Sequence, residues 1–200
     1  MSRRNPAPRP RMAHEAYYTP GRHVVPLLAR LPAQALRAEA WEPAAGAGHI
    51  ATVLQGAFRS VLATDLHPPR KQLLPVAKLD FLTSRGPSGQ GPLVIITNPP
   101  YGARNAQALA FLHHGLAITQ RRAGVLALLL PFEFDAPRSR DALVGSHPAF
   151  AAKITIGERI RWANLAQGRN DPMSHHSWFV WAWNAAVRSA LQVQGVMRTA

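Results

Sequence analysis

Four consecutive residues near the middle of the chain, Asn98-Pro99-Pro100-Tyr101, combine types suited to chemistry on a planar amino group. An aromatic amino nitrogen is a poor nucleophile because its lone pair is spread into the ring. Acceptors aimed at its two hydrogens localise that pair and favour attack. The Asn98 side-chain oxygen and the Pro99 carbonyl can be those acceptors. Pro100, like Pro99, donates no N–H that would draw the local carbonyls into a turn. Pro99 also holds Asn98 extended. Tyr101 offers a flat face to a base swung out of its stack. Residues 93–97, Leu-Val-Ile-Ile-Thr, read as a buried strand. The tetrapeptide therefore sits at a strand's carboxyl end, the edge where doubly wound sheets bind ligands. A proline-rich strand end alone would account for the prolines; two earlier segments decide against so bland a reading.

The first is Glu42-Pro43-Ala44-Ala45-Gly46-Ala47-Gly48. Gly46 and Gly48, between a strand and a helix, allow a tight turn and close approach of a ligand to backbone. A mere tight turn would use the same glycines. The second is Asp65, with Leu66 beside it, at the end of the next strand and about 20 residues past the glycines, where a carboxylate accepts ribose hydroxyls. Together they point to a nucleotide-like cofactor, either NAD or S-adenosylmethionine. The tetrapeptide selects the second, whose sulfonium methyl is already activated, so that alignment and polarisation replace a strong base. Asp80 and Phe81 follow a third strand candidate and supply a carboxylate and a ring for the cofactor's adenine, Phe81 being otherwise a core residue. Thr19, in Tyr17-Tyr18-Thr19-Pro20, either caps the first helix or holds the cofactor's methionine end.

Around these residues strand and helix patterns alternate. Helical spacing covers 22–36, 48–58, 105–120 and 138–144; strand patterns cover 38–42, 60–66, 93–97, 124–131, 153–156 and the aromatic 177–183. Residues 72–80 read as a short helix and strand, and 84–92 as a loop. The alternation predicts an α/β sheet with helices on both faces. Residues 1–12 read as a flexible basic arm and 13–200 as a single domain with no separate target-reading module.

The 200 residues carry a net charge of +13 and no cysteine. Disulfides and cysteine-ligated zinc are excluded. The basic excess points to nucleic acid, although arginine far outnumbers lysine and coding bias alone can produce that. The longest apolar run, 123–132, is far short of the ~20 residues that span a bilayer, and 1–12 lacks the apolar stretch of a signal peptide; no membrane partner is expected and the reading is a cytoplasmic protein. The nine histidines include the pairs His113-His114 and His175-His176, but sequence neighbours point apart and no metal-binding spacing accompanies them, so no metal is expected.

The order of these motifs resembles that of the amino-group DNA methyltransferases, and residues 38–183 are similar to the compact, phage-type adenine-specific members. The EPAAGAG loop, the ITNPP strand and a late Arg-Ile-x-Trp followed by an aromatic strand carry the likeness, the last as Arg159 to Trp162 and Ser177-Trp178-Phe179-Val180-Trp181. The resemblance implies a Rossmann-like class I methyltransferase with a mostly parallel, seven-stranded, doubly wound sheet. It implies that Asn98, Pro99, Pro100 and Tyr101 form the catalytic tetrapeptide. It implies that Thr19, Glu42, Ala44, Gly46, Gly48, Asp65, Leu66, Asp80, Phe81 and Asn98 hold S-adenosylmethionine. Two departures stand out: Ala44-Ala45 in the loop, and no discrete target-recognition domain. Sequence choice then falls to the loop before the last strand, where Arg161, Trp162, Asn164, Arg169 and Asn170 have types that read base edges or fill the gap of a flipped base. DNA is the expected partner. RNA amino groups, protein glutamine or a catalytically idle nucleic-acid binder are the alternatives that the same tetrapeptide leaves; an NAD-dependent oxidoreductase would leave it without a role.

Overall fold

A computed structural model of the chain describes residues 17–163, 174–192 and 197–198. Its sheet is built from strands β1 (Glu39–Glu42), β2 (Ser60–Asp65), β3 (Ala77–Lys78), β4 (Leu93–Thr97), β5 (Val125–Pro131), β6 (Phe150–Thr155), β7 (His176–Ala182) and β8 (Met197–Arg198). The spatial order is β3-β2-β1-β4-β5-β7-β6-β8. β7 runs antiparallel to both its neighbours and every other pairing is parallel. The expected seven-stranded, mostly parallel sheet is present, with the two-residue β8 added at one edge.

Helices cover both faces, as alternation requires. On one face α1 (Val25–Leu28), α2 (Ala33–Leu36), α3 (His49–Gln55) and α5 (Ala185–Gln192) pack over a core containing Leu27, Ile50, Leu54, Val94, Ile96, Leu129, Trp178 and Leu191. On the other, α4 (Ala106–Arg121) sets Phe111 and Leu112 against Trp41, Leu93, Ile95, Leu126, Leu128, Phe179 and Trp181 in a second core. β4 feeds both cores by simple alternation, which is why all five of its residues are buried. The large rings in this sheet have their N–H groups satisfied: Trp41 Nε1 donates to Thr64 Oγ1 at 2.9 Å, Trp178 Nε1 to the His23 carbonyl at 2.8 Å and Trp181 Nε1 to the Leu143 carbonyl at 2.7 Å.

Three local readings of the sequence are corrected. The helical spacing over 22–36 is broken into a 3₁₀ turn (Gly21–His23), α1 and α2. Pro26 and Pro32 lie inside that span, and proline lacks the N–H that a continuous helix needs. Residues 72–76 form no helix; the Gln72 amide instead ties the loop, donating to the Pro69 carbonyl and accepting from the Val76 N–H. The span 138–144 is 3₁₀ over Arg138–Leu143 rather than α. Helix α5 had no counterpart among the expected elements, although Val187 and Leu191, four apart, are its buried pair. Among the described residues no helix is long and apolar enough to cross a membrane.

Candidate active site

The strand order reverses between β1 and β4, so the chain leaves the sheet in opposite directions at their adjacent carboxyl ends. A crevice opens at such a switch point. Glu42 ends β1, Asp65 ends β2, and Asn98 directly follows β4. The fold thus gathers residues from three separate stretches of sequence at one edge.

The glycine loop turns as expected and the reason is visible in its dihedrals. Gly46 has φ +52° and Gly48 φ +90°, a region that side chains disfavour. The Gly46 N–H donates to Asp65 Oδ2 at 2.8 Å and the His67 N–H donates to Asp65 Oδ1 at 2.7 Å. Asp65 therefore ties the loop to β2. Glu42 is 1% exposed and its Oε2 accepts from the Ala51 N–H at 2.6 Å, near the start of α3. Burial pushes its carboxyl well above the usual carboxylate range, and the charge of Asp65 adds to the push against the pull of the Ala51 bond.

A small cavity of about 20 Å³ lies among Thr19, Glu42, Ala44, His49 and Asn98, with Tyr17 and Tyr18 at its wall. It has room for a single water. The Tyr18 ring fills the space above the loop: a Cβ on Gly46 would fall 2.6 Å from Tyr18 Cε1, and the ring stacks on His49 at 5.2 Å. Burial, then the Asp65 charge, raises the Tyr18 phenol above its ordinary range. Two cavity-lining polar atoms, Thr19 Oγ1 and His49 Nδ1, are buried without a hydrogen-bond partner. Thr19 makes no side-chain cap on the following turn, so that alternative is not the one observed.

Asn98 is bonded at both ends of its amide. Nδ2 donates to the Tyr17 carbonyl at 3.1 Å, and Oδ1 accepts from the Tyr101 hydroxyl at 3.2 Å. Tyr101 also reaches the Leu129 carbonyl at 3.3 Å. Pro99 is buried and Pro100 half-buried. Beyond the tetrapeptide, Gly102, Arg104 and Asn105 all have positive φ, and the Tyr101 carbonyl accepts from the Gln107 N–H at the start of α4. Arg104 and Asn105 hold this conformation with side chains attached, a strain that concentrates at functional sites.

On the far side of Tyr101 lies a group of rings. Tyr101 faces His176 at 6.2 Å and 22°, Trp162 meets His176 edge-on at 5.2 Å and 82°, and Tyr17 meets Trp162 at 5.5 Å. The Ala163 N–H donates to the Tyr18 carbonyl at 2.8 Å, which fixes the 161–163 stretch against the Tyr17–Thr19 strap. Trp162 thus reaches the site, and Arg161 beside it is exposed. Asn164, Arg169, Asn170 and the 1–12 arm lie outside the described residues. His176 is 5% exposed, and burial pushes it down to about 4 against a smaller upward pull from the Ser174 backbone.

Two expected ligand contacts are placed differently. Phe81 is 2% exposed and held among Trp41, Phe111 and His114, so its ring belongs to the core. Asp80 Oδ1 accepts from the Leu82 N–H in its own turn. Leu66 and Leu82 follow Asp65 and Phe81 and are 48% and 39% exposed, an apolar rim at the same sheet edge. The sequence marks Tyr18 only through the Tyr-Thr-Pro segment, which resembles the motif that precedes the cofactor loop, and gives no role to Tyr17, His49 or His176. No motif marks the last three, since each enters through a contact between distant elements. Among the described residues no group of three His, Cys, Asp or Glu is arranged to hold a metal ion.

Comparison with known proteins adds the frame. No protein-family model matches the chain, and no curated protein sequence matches it. Solved structures do match. A Listeria monocytogenes protein assigned to the class I S-adenosylmethionine-dependent methyltransferases superposes with a TM-score of 0.57 at 15% identity, covering 82% of this chain and 60% of that one. The fold is that of a Rossmann-like class I methyltransferase. A Pyrococcus horikoshii protein assigned to the RNA methyltransferases gives 0.57 at 14% identity, over 83% of this chain and 85% of that one. The methyltransferase subunit of a type I restriction-modification system from Streptococcus thermophilus gives 0.52 at 15%, over 83% and 44%. The chain therefore spans three fifths of the first structure and less than half of the last.

Proposed function

We propose that this chain binds S-adenosylmethionine over its glycine loop and methylates the exocyclic amino group of adenine in DNA. The observation that carries the reading is the position of Asn98. It shares one cavity with Thr19, Glu42 and Ala44, while Tyr101 beside it borders the ring group on the other side. Donor and acceptor positions thus meet at one amide.

The residues suit the cofactor. Thr19 Oγ1 and His49 Nδ1 are unpaired polar atoms ready for its amino-acid end, and a cation near Glu42 and Asp65 relieves their mutual repulsion. The Tyr18 ring lies against Gly46, so a cofactor seated over the loop moves it aside. When bound, S-adenosylmethionine supplies a methyl group on a cationic sulfur that departs as a neutral thioether. The protein's share is acceptor geometry. Asn98 Oδ1 and the Pro99 carbonyl take the two amino hydrogens, and the bond from Nδ2 to Tyr17 fixes which end of the Asn98 amide faces the acceptor. A carbonyl oxygen has two lone pairs, so Oδ1 can serve Tyr101 and the substrate together.

DNA and adenine rest on the +13 charge, on the similarity of residues 38–183 to phage-type adenine methyltransferases, and on the restriction-system enzyme among the fold relatives. Tritiated methyl transfer from S-adenosylmethionine to unmethylated DNA, RNA and protein tests all of it. Wild type should label adenine in DNA. Asn98→Ala should lose at least about a hundredfold in rate, the scale of one preorganised polar contact, while S-adenosylhomocysteine still raises its melting temperature. Label in RNA alone would overturn the DNA assignment, and stabilisation by NAD instead of S-adenosylhomocysteine would overturn the cofactor.

A further inference from the structure

His176 lies on the acceptor side and no motif accounts for it. It opens β7 opposite Pro131, so the strand ladder delivers it to the carboxyl end of β5, next to the tetrapeptide. It is 5% exposed and its Nδ1 has no hydrogen-bond partner. Buried polar atoms are nearly always paired, and an orphan is costly. Such an atom persists in a folded protein when a ligand completes it or when the site needs it.

Its surroundings say what kind of ligand. Tyr101, Trp162 and His176 come from three different loops or strand ends and meet ring to ring. The Tyr101 hydroxyl is directed at Asn98 Oδ1 and the Leu129 carbonyl. Flat aromatic surfaces around one buried nitrogen suit a planar heterocycle that itself carries a ring nitrogen. Every exocyclic amino group that Asn98 could hold is attached to a carbon flanked by such a nitrogen. At neutral pH burial keeps the imidazole uncharged, so it holds one N–H to donate.

We propose that His176 is a specificity-determining residue: its Nδ1 donates to the ring nitrogen adjacent to the amino group of the base seated against Tyr101. This rests on the methyltransferase reading above and extends it from the amino group to the base edge. It requires the tautomer that carries hydrogen on Nδ1, so the ring gives up its N–H bond to the Ser174 backbone when the base is seated. A base that turns an N–H to that position, as guanine does with its N1 edge, would meet donor with donor.

The test uses the full chain and short DNA duplexes in which the target adenine is replaced by 1-deazaadenine or 7-deazaadenine. In wild type, 1-deazaadenine should lower kcat/KM roughly 3–10-fold, the range of one neutral hydrogen bond. His176→Phe keeps a flat ring and removes the donor; it should lose a similar factor on adenine and lose nothing more on 1-deazaadenine. His176→Asn places an amide nitrogen close to the Nδ1 position and should restore discrimination. The 7-deaza substitution should cost all three proteins equally. Melting temperature with S-adenosylhomocysteine confirms that each variant folds and loads. If His176→Phe separates adenine from 1-deazaadenine as wild type does, or His176→Asn fails to restore the difference, the assignment of His176 is wrong and the methyltransferase reading stands. If wild type methylates no adenine duplex, both fall together.

Discussion

Asn98 has both ends of its amide engaged within the chain, Nδ2 on the Tyr17 carbonyl and Oδ1 under the Tyr101 hydroxyl. An amide with one set orientation is what polarising a substrate amino group requires, since a flipped amide would present hydrogens to hydrogens. Tyr101→Phe removes one of the two anchors and leaves the ring; it should lower the methyl-transfer rate by about tenfold with little change in melting temperature. Glu42 makes a separate prediction. Its folded-state affinity for a proton is raised by burial, whereas the unfolded chain releases that proton near the ordinary carboxylate range. The stability it contributes is therefore present at low pH and declines as pH rises through the raised folded-state value. Glu42→Gln keeps an acceptor for the Ala51 N–H without the charge, and should melt higher than wild type at pH 8 with a smaller difference at pH 5. His176 has the opposite sign. Its folded value near 4 lies below the ordinary 6.5, so stability is full above pH 6.5 and is lost as pH falls toward 4. His176→Phe should flatten the melting curve over that window, as scanning calorimetry between pH 4 and 7 would show. Such residues also mark how far the chain could be read. The tetrapeptide, glycine loop and Asp65 are legible because their chemistry follows from local order along the chain. Tyr17 and His176 meet only partners far away in sequence, so nothing local identifies them.

Elements were legible wherever burial on both faces produced an apolar run, as in β4, β5 and β7, because such runs admit few alternatives. They were illegible where side chains override periodicity: prolines interrupt 22–36, and the Gln72 amide replaces a helix with a tied loop. The ends of α4 repeat that point. Its start is set by the left-handed pair Arg104 and Asn105, and its finish by Ala123 at φ 44°, with the Gly124 N–H donating back to the Thr119 carbonyl at 2.8 Å. That closing turn favours glycine at the left-handed position, yet the glycine stands one residue later, where a Cβ would fall 2.0 Å from the Leu93 carbonyl oxygen. The order Ala-Gly is thus imposed by packing against β4 at Gly124. Ala123→Gly should stabilise the protein by roughly 0.5–1 kcal/mol, whereas Gly124→Ala should destabilise it severely; thermal melts of the two variants check both signs.

At the scale of the whole molecule the +13 charge and the crevice belong to one argument. Exposed cations follow the parallel strands at the crevice edge: Arg70 and Lys71 after β2, Arg85 after β3, Arg104 after β4, Arg138 after β5 and Arg161 after β6. A polyanion bound there releases counterions, and log affinity falls by roughly 0.9 per log salt for each phosphate neutralised in duplex DNA. Fluorescence anisotropy should show that steep slope, and Arg104→Glu should shallow it while Arg59→Glu, at the opposite edge before β2, should not. One earlier contact reaches across this surface. Tyr18 lies on Gly46, in the space that the loop offers a ligand, and its covalent neighbour Tyr17 carries the carbonyl that holds Asn98. Whatever lifts the first residue tugs on the partner of the amide. On the function proposed above, this strap couples the sulfonium side to the base side. Initial-rate kinetics should show compulsory-order addition, and Tyr18→Ala should turn that order random.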